Sequence, residues 1–311
     1  MPPCIFSSNP STALNTVIKS LNLKENDEIL TTDHEYGALD KTWNFICKKT
    51  GAKYIQQNIP LPLNSKEEFI EHFTRGLTKK TKIIFISHIT SPTALIFPIK
   101  EVCKIAKDKG IISIIDGAHA PAQIKLDIQK INPDIYVGAC HKWMCSPKGV
   151  AFLYVNKNFQ NKIEPLVVSW GYEAENPSHS QFLDYLQWQG TYDMSAYLTI
   201  PDTIDFLIKN NWTSIAKECH NVNVWARDNI CQEFNVNPFC DSMFLGQMST
   251  IEFPFSDPLK NQMEFYSRYK IQIPFWKWHD KTIFRISIQA YNNKDDIYKL
   301  IDALKDYQSI V

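Results

Sequence analysis

No apolar run in the 311 residues approaches the roughly 20 that a membrane-crossing helix needs. Neither charge is in excess. Lys plus Arg and Asp plus Glu number 33 each, so bulk electrostatic binding to nucleic acid or an anionic membrane is not expected. The N-terminus, MPPCIFSSNPST, lacks the basic and apolar regions of a secretion signal. The eight cysteines include one close pair, Cys140 and Cys145, and no second pair to complete a zinc-like set, so no metal site is expected. They are read as reduced thiols, which points to a cytoplasmic protein. The chain has no internal repeat and no low-complexity segment. What it does have is 44% hydrophobic and 21% charged residues, ample for a globular core.

The first half alternates strand-like and helix-like patterns. Residues 7–20 place Asn9, Ser11 and Thr12 before a helical repeat of Ala13, Leu14, Val17 and Ile18. A strand at 27–32 precedes a helix at 39–49, which Gly51 closes. Strands at 53–58 and 82–87 flank a helix at 65–76, and a helix at 98–109 starts at a proline and ends before Gly110. The fold class is therefore α/β, with a mostly parallel sheet covered on both faces. Residues 166–197 are rich in aromatic rings and loop-like, as core packing or a subunit interface would require. Two helices, 197–209 and 212–234, follow, and from about residue 235 the pattern is α+β. The expected division is a large domain, 1–232, and a smaller α+β domain, 233–311.

Residues 111–155 carry the chemistry. One apolar run ends in Asp116-Gly117-Ala118-His119, and a second ends in Gly138-Ala139-Cys140-His141-Lys142-Trp143. Two strands thus deliver an acid, two histidines and a lysine to one sheet edge, where open α/β sheets bind ligands. An acid able to pair with a pyridinium nitrogen and a lysine able to form a Schiff base are what a pyridoxal phosphate site needs. The start of the first helix, with its unpaired N–H groups, suits a phosphate. His34 ends an earlier strand on the same edge, where its ring could stack on a cofactor. Arg285, inside an alternating strand, could clamp a substrate carboxylate.

Seven stretches in order carry a resemblance: NPSTALNTV (9–17), TDHEYGALDKTW (32–43), SHITSPTALIFPI (87–99), IDGAHAPAQIKLDI (115–128), CHKWMCSPKGVAFLYV (140–155), WQGTYDMSAYL (188–198) and FRISIQAYN (284–292). They resemble the fold-type I pyridoxal-phosphate enzymes of the class V aminotransferase group. Within it they look most like the isopenicillin N epimerase-like branch, which is similar to cysteine desulfurases and ergothioneine-pathway C–S lyases. The resemblance implies that Lys142 is the Schiff-base lysine and Asp116 the partner of the pyridine nitrogen. It implies that His119 holds the ring hydroxyl with Ser91 nearby, and that His34 stacks on the ring. Pro10, Ser11 and Thr12 would form the phosphate cup, with His141 adding a contact. Thr191 would reach the phosphate of a neighbouring subunit, which implies a homodimer with shared sites, and Arg285 would bind the α-carboxylate of an amino-acid substrate.

Some positions depart from that pattern. Ala139 stands where related desulfurases carry a serine, and Pro10 has no N–H for a phosphate. Tyr192 stands where the branch has an arginine. The stretch before Arg285, IPFWKWHDKTIF, has no cysteine to form a persulfide. Met1 lies close to the phosphate cup, whereas relatives carry a longer lead-in that helps close the site. Cofactor binding is therefore expected to survive better than substrate specificity. The expected activity is epimerase or C–S lyase chemistry at the α- or β-carbon of an amino acid or derived thioether. The alternative is a related scaffold with reduced catalysis.

Overall fold

Isoleucine-rich runs become strands because β-branched side chains pack well on a pleated surface, and parallel strands need such side chains on both faces. The computed structural model describes residues 4–255 and 257–310. The chain divides into two compact units. One comprises the chain through Ile59, Lys66–Ile89 and Phe97–Asn210, and the other Pro60–Ser65, Thr90–Ile96 and the chain from Asn211 onward.

In the first unit β1 (Cys4–Ser7) leads into α1 (Pro10–Ser20), then β2 (Glu28–Thr32), α2 (Gly37–Thr50) and β3 (Lys53–Gln57). After α3 (Lys66–Thr74) come β4 (Thr81–Ser87), α4 (Ile99–Asp108), β5 (Ile112–Asp116), the single turn α5 (Ile128–Ile131) and β6 (Ile135–Ala139). The unit ends with β7 (Ala151–Val155), α6 (Lys157–Gln160), α7 (Gln181–Gln187), α8 (Ser195–Leu198) and α9 (Ile200–Lys209). The seven strands form one sheet in the order β1-β7-β6-β5-β4-β2-β3. β3, β2, β4, β5 and β6 pair in parallel, while β7 returns antiparallel between β6 and β1. This agrees with the mixed, mostly parallel sheet expected. The strand β1, four residues long, is an addition to the elements expected from sequence.

The parallel arrangement brings the ends of β2, β4, β5 and β6 to one edge. Ser87 lies in register with Asp116, and Asp116 with Val137. Helix α1 buries Ala13, Leu14, Val17 and Ile18 in a core shared with Trp43, Phe85 and Ile114. Its N-cap, Asn9, accepts a hydrogen bond from Thr12 N–H at 2.8 Å. The aromatic-rich segment is less loop-like than its composition suggested. Helix α7 buries Phe182 and Leu186 in the same core, while Trp170 stays on the surface.

The second unit contains α10 (Trp212–Glu233), a 3-10 turn at Ser242–Phe244, β8 (Met248–Glu252), α11 (Pro258–Tyr269), β9 (Phe275–Trp278), β10 (Lys281–Ser287) and α12 (Lys294–Ile310). Its antiparallel sheet has the order β8-β10-β9. The strand β9 lies in the stretch IPFWKWHDKTIF before Arg285, and pairing with β10 supplies its order. Residues 60–65 and 90–96 join this unit through backbone bonds. Leu63 N–H donates to Phe239 O at 2.9 Å, and Ile96 N–H to Phe244 O at 2.8 Å.

Phe85 is fully buried on β4 with its ring 5.5 Å from that of Trp43. Replacing it with alanine should cost about 3–5 kcal/mol, because the rigid sheet cannot collapse into the hole. Denaturant unfolding would register this as a lower midpoint, and a loss below about 1 kcal/mol would mean that the neighbours close the cavity.

Candidate active site at the strand ends of the first unit

Asp116 ends β5 and is only 4% exposed. Its Oδ1 accepts the Ala118 N–H at 2.9 Å, which fixes the turn that follows. Burial pushes its carboxyl above the usual carboxylate range, while the Ala118 N–H pulls it back, as a positive charge on Lys142 would also do. Gly117 is required by a close approach. A Cβ there would lie 2.2 Å from the hydroxyl end of Tyr136, and that ring is fully buried and tied by a 2.8 Å hydrogen bond to His88 Nδ1. Burial lowers the His88 pKa to about 3, so this imidazole is neutral.

His119 follows one turn after Asp116 and is also buried. Its Nε2 is 3.0 Å from Lys142 Nζ, and its Nδ1 accepts the Trp143 indole N–H at 3.3 Å. Lys142 itself is exposed, so an amine held against a buried imidazole opens to solvent. The structure therefore brings Asp116, His119 and Lys142 together at the C-terminal ends of β5 and β6. His141 turns away from this cluster, with Nδ1 2.9 Å from Val150 O. A carbonyl accepts only, so the proton sits on Nδ1 and Nε2 presents a lone pair unless the ring is protonated. Contact with a phosphate thus needs the imidazolium.

At α1 the first-turn donors are largely committed. Pro10 has none, and Asn9 takes the Thr12 N–H, so Ser11 N–H and the Ser11 and Thr12 hydroxyls are the groups that suit an anion. His34 is placed differently from the expectation. Its exposure is 0%, its Nε2 lies 3.0 Å from Ile59 O, and its ring packs edge-on against Phe97. A stacking residue needs an exposed ring face, and at this corner the exposed ring is Tyr36, at the N-cap position of α2. Thr191 is exposed between α7 and α8. Ser91 and Arg285 both belong to the second unit, where they meet. Arg285 Nη1 donates to Ser91 O at 2.6 Å, and the guanidinium lies 5.6 Å over the Trp276 ring. Burial lowers the Arg285 pKa, and its Nε is buried without a partner.

Glu35 was not singled out by sequence reasoning. It lies in the motif after His34 but is folded inward, 5% exposed. Its Oε2 accepts from Ser87 N–H at 2.9 Å and from Ser87 Oγ at 2.6 Å, and its Oε1 lies 2.7 Å from Thr32 Oγ1. Burial raises its pKa to about 8, against the lowering effect of Ser87 and Thr32, and the Asp116 charge adds to the rise. Both Ser87 donors fall on one oxygen, so Oε1 can carry the proton. No periodicity or spacing announces a buried acid here, since an acidic residue at a strand end is usually solvated.

The residues fit one group. A buried carboxylate whose Oδ2 has no donor among the described residues suits a cationic ring nitrogen, and an exposed amine beside it suits an aldehyde. The comparisons agree. Residues 2–300 match the Aminotransferase class-V family. Isopenicillin N epimerase of Amycolatopsis lactamdurans is 28% identical over 97% of this chain and 79% of its own length. Hercynylcysteine sulfoxide lyase of Schizosaccharomyces pombe is 24% identical over 98% of this chain and 79% of its own. The apo structure of a cysteine desulfurase from Thermococcus onnurineus NA1 superposes with a TM-score of 0.83 at 18% identity, over 99% of this chain and 80% of that one. The chain belongs to the class V aminotransferase family, a family of pyridoxal-phosphate enzymes.

Glu35 makes stability depend on pH. A carboxyl raised from 4.5 to about 8 binds a proton in the folded state that the unfolded chain has lost. Stability is therefore full below the lower value and declines through this window by up to about 1.4 kcal/mol per pH unit. Thermal unfolding of wild type and Glu35→Gln between pH 5 and 8 should diverge, with the wild type losing stability faster. Parallel curves would mean that Glu35 is not protonated.

Proposed function

We propose that this class V family member is a pyridoxal-phosphate enzyme acting at the α- or β-carbon of an amino acid or amino-acid-derived thioether. The reaction is epimerisation or C–S bond cleavage. The observation that carries this reading is the Lys142 amine, 3.0 Å from His119 and within the electrostatic reach of buried Asp116. When bound, the cofactor's pyridinium ring withdraws electrons from the α-carbon of a joined amino acid. Asp116 holds the proton on the ring nitrogen. Lys142 would hold the cofactor, and its amine would remove or return the proton at the α-carbon. His119 holds the ring hydroxyl. Ser11, Thr12 and the protonated form of His141 hold the phosphate at the α1 terminus, which favours an anion.

Arg285 binds the substrate carboxylate, a role supported by its position: Ser91 O anchors one amino group of the guanidinium while Trp276 flanks its plane. A persulfide-forming desulfurase is disfavoured. Cys240 is buried and its thiol is pushed up to about 12, mainly by burial, so it is no nucleophile. The relatives named above include an epimerase and a sulfoxide lyase, which supports the two outcomes proposed. We also propose a homodimer in the cytoplasm. Supporting the first are the exposed apolar side chains of Trp170, Leu198 and Ile208, which are 88%, 74% and 72% exposed. Supporting the second are eight free cysteines.

Purified protein given pyridoxal phosphate should gain visible absorbance, and borohydride reduction followed by peptide mass spectrometry should place the label on Lys142. Lys142→Ala should abolish both; a label elsewhere, or none, would sink the reading. Arg285→Ala should raise KM for the substrate found in a panel of amino acids and thioethers by tenfold or more, with the absorbance band unchanged. A lost band would mean that Arg285 supports the cofactor rather than the substrate. Products of that panel, read as inverted amino acid against pyruvate, decide between epimerisation and elimination.

A further inference from the structure

Lys142, His119 and Trp143 form a chain of contacts whose donors and acceptors can be satisfied in one way. The turn from Lys142 to Cys145 is closed by Cys145 N–H on Lys142 O at 3.3 Å, with Cys145 in the left-handed region at φ 61°. It sets two consecutive side chains on opposite nitrogens of one imidazole. On one side the Trp143 indole N–H donates to His119 Nδ1 at 3.3 Å. An indole nitrogen has no acceptor function, so Nδ1 must hold a lone pair. A neutral imidazole then carries its proton on Nε2, the atom 3.0 Å from Lys142 Nζ. An ammonium group has only donors, so an ammonium at this place would point N–H at N–H. The contact is satisfied when Lys142 is a neutral amine that accepts the Nε2 proton in a hydrogen bond.

We propose that Trp143 is a positioning residue: its indole N–H holds the His119 proton on Nε2 and thereby keeps Lys142 as the free amine. This rests on Lys142 being the cofactor lysine, and it deepens that reading. Free amine is the reactive form. Its lone pair forms the new C–N bond with an aldehyde, and the two amine protons leave with the aldehyde oxygen as water. Neighbouring charges make the device necessary. Asp116, on β5, favours the ammonium form through its charge, with Glu35 from the end of β2 and Tyr136 from β6 behind it. His141, on the lysine's own segment, is turned to Val150 O. Against the pull of Asp116, a proton fixed on His119 Nε2 favours the amine. The same Nε2–H is the donor that a cofactor's ring hydroxyl oxygen would accept once Lys142 is occupied.

The test uses the whole chain stripped of cofactor. Nitrogen-15 histidine NMR of the wild type should report His119 with its proton on Nε2; a proton on Nδ1 overturns the proposal with no variant needed. Trp143→Phe keeps the ring and drops the N–H. The rate of pyridoxal-phosphate uptake, followed by absorbance against pH, should fall about tenfold near neutrality, as for a one-unit alkaline shift, and reach the wild-type plateau at high pH. A profile that superimposes on wild type overturns the proposal, and so does a plateau lowered in equal proportion at every pH, which marks a merely structural role. Borohydride labelling of wild type separates the two claims. Label on another lysine fails the assignment of Lys142, whereas label on Lys142 with unchanged profiles fails only the role of Trp143.

Discussion

A carboxylate buried at a strand end must find a cation or take up a proton, and the first unit is arranged around this demand at Asp116. Every polar group beneath it is kept uncharged. His88 is neutral because burial holds its pKa near 3, Tyr136 keeps its proton for the same reason, and Glu35 is pushed up to about 8. The Asp116 charge adds to the rise at Glu35, so ionising both carboxylates in this dry place is costly. Asp116, when ionised, places a negative charge at the C-terminal edge of the sheet, with one oxygen tied to Ala118 N–H. A cationic ring nitrogen is the counter-charge that such a place accepts at little cost. The glycine after Asp116 belongs to the same constraint, because Tyr136 fills the space where a side chain would stand.

The sheet and its ligand edge were legible because their signals are periodic. Apolar runs at 82–87, 111–115 and 135–137 sit inside β4, β5 and β6 or overlap them closely, and the polar residues after them mark the edge. Asp116 and Lys142 could be read because an acid and a lysine directly after buried strands are costly anywhere but at a site. Other features depend on contacts that only the fold creates. The strand β9 carries an aromatic or basic residue at every one of its four positions, FWKW, and gains its order from pairing with β10. His34 is expected at the ligand edge, but the chain turns it inward against Phe97, and the neighbouring Glu35 is turned inward onto Ser87. Segments 60–65 and 90–96 carry no compositional mark of their membership in the second unit. Backbone pairing with residues 239 and 244, far along the chain, assigns them.

His119 and His141 show how backbone geometry gives one residue type two chemistries. His141 spends Nδ1–H on a carbonyl and so offers a lone pair on its outer nitrogen. His119 receives an indole N–H on Nδ1 and so offers a proton on its outer nitrogen. One ring becomes a donor to an anion only by gaining a charge; the other is a donor while neutral. That difference matches the partners proposed for them. A phosphate rewards a full positive charge, whereas a ring hydroxyl beside a lysine needs a hydrogen bond that leaves the lysine unprotonated.

Within the second unit, Arg285 is a partly buried cation. Arg285 loses water on burial and recovers contacts from Ser91 O and the Trp276 ring, yet its Nε remains unmatched. An arginine held this way is short of acceptors, and a carboxylate is the ligand that restores them. The segment leading to Arg285 is a tight hairpin, β9 to β10, with His279 in the left-handed region at φ 52°. A sulfur-accepting nucleophile would need a thiol on a loop free to reach the substrate. Here the backbone is committed to strand pairing, and the buried Cys240 keeps its proton up to about pH 12. Under the proposed function, elimination and epimerisation would both begin with proton removal at the α-carbon by Lys142, and the leaving group on the β-carbon would decide between them.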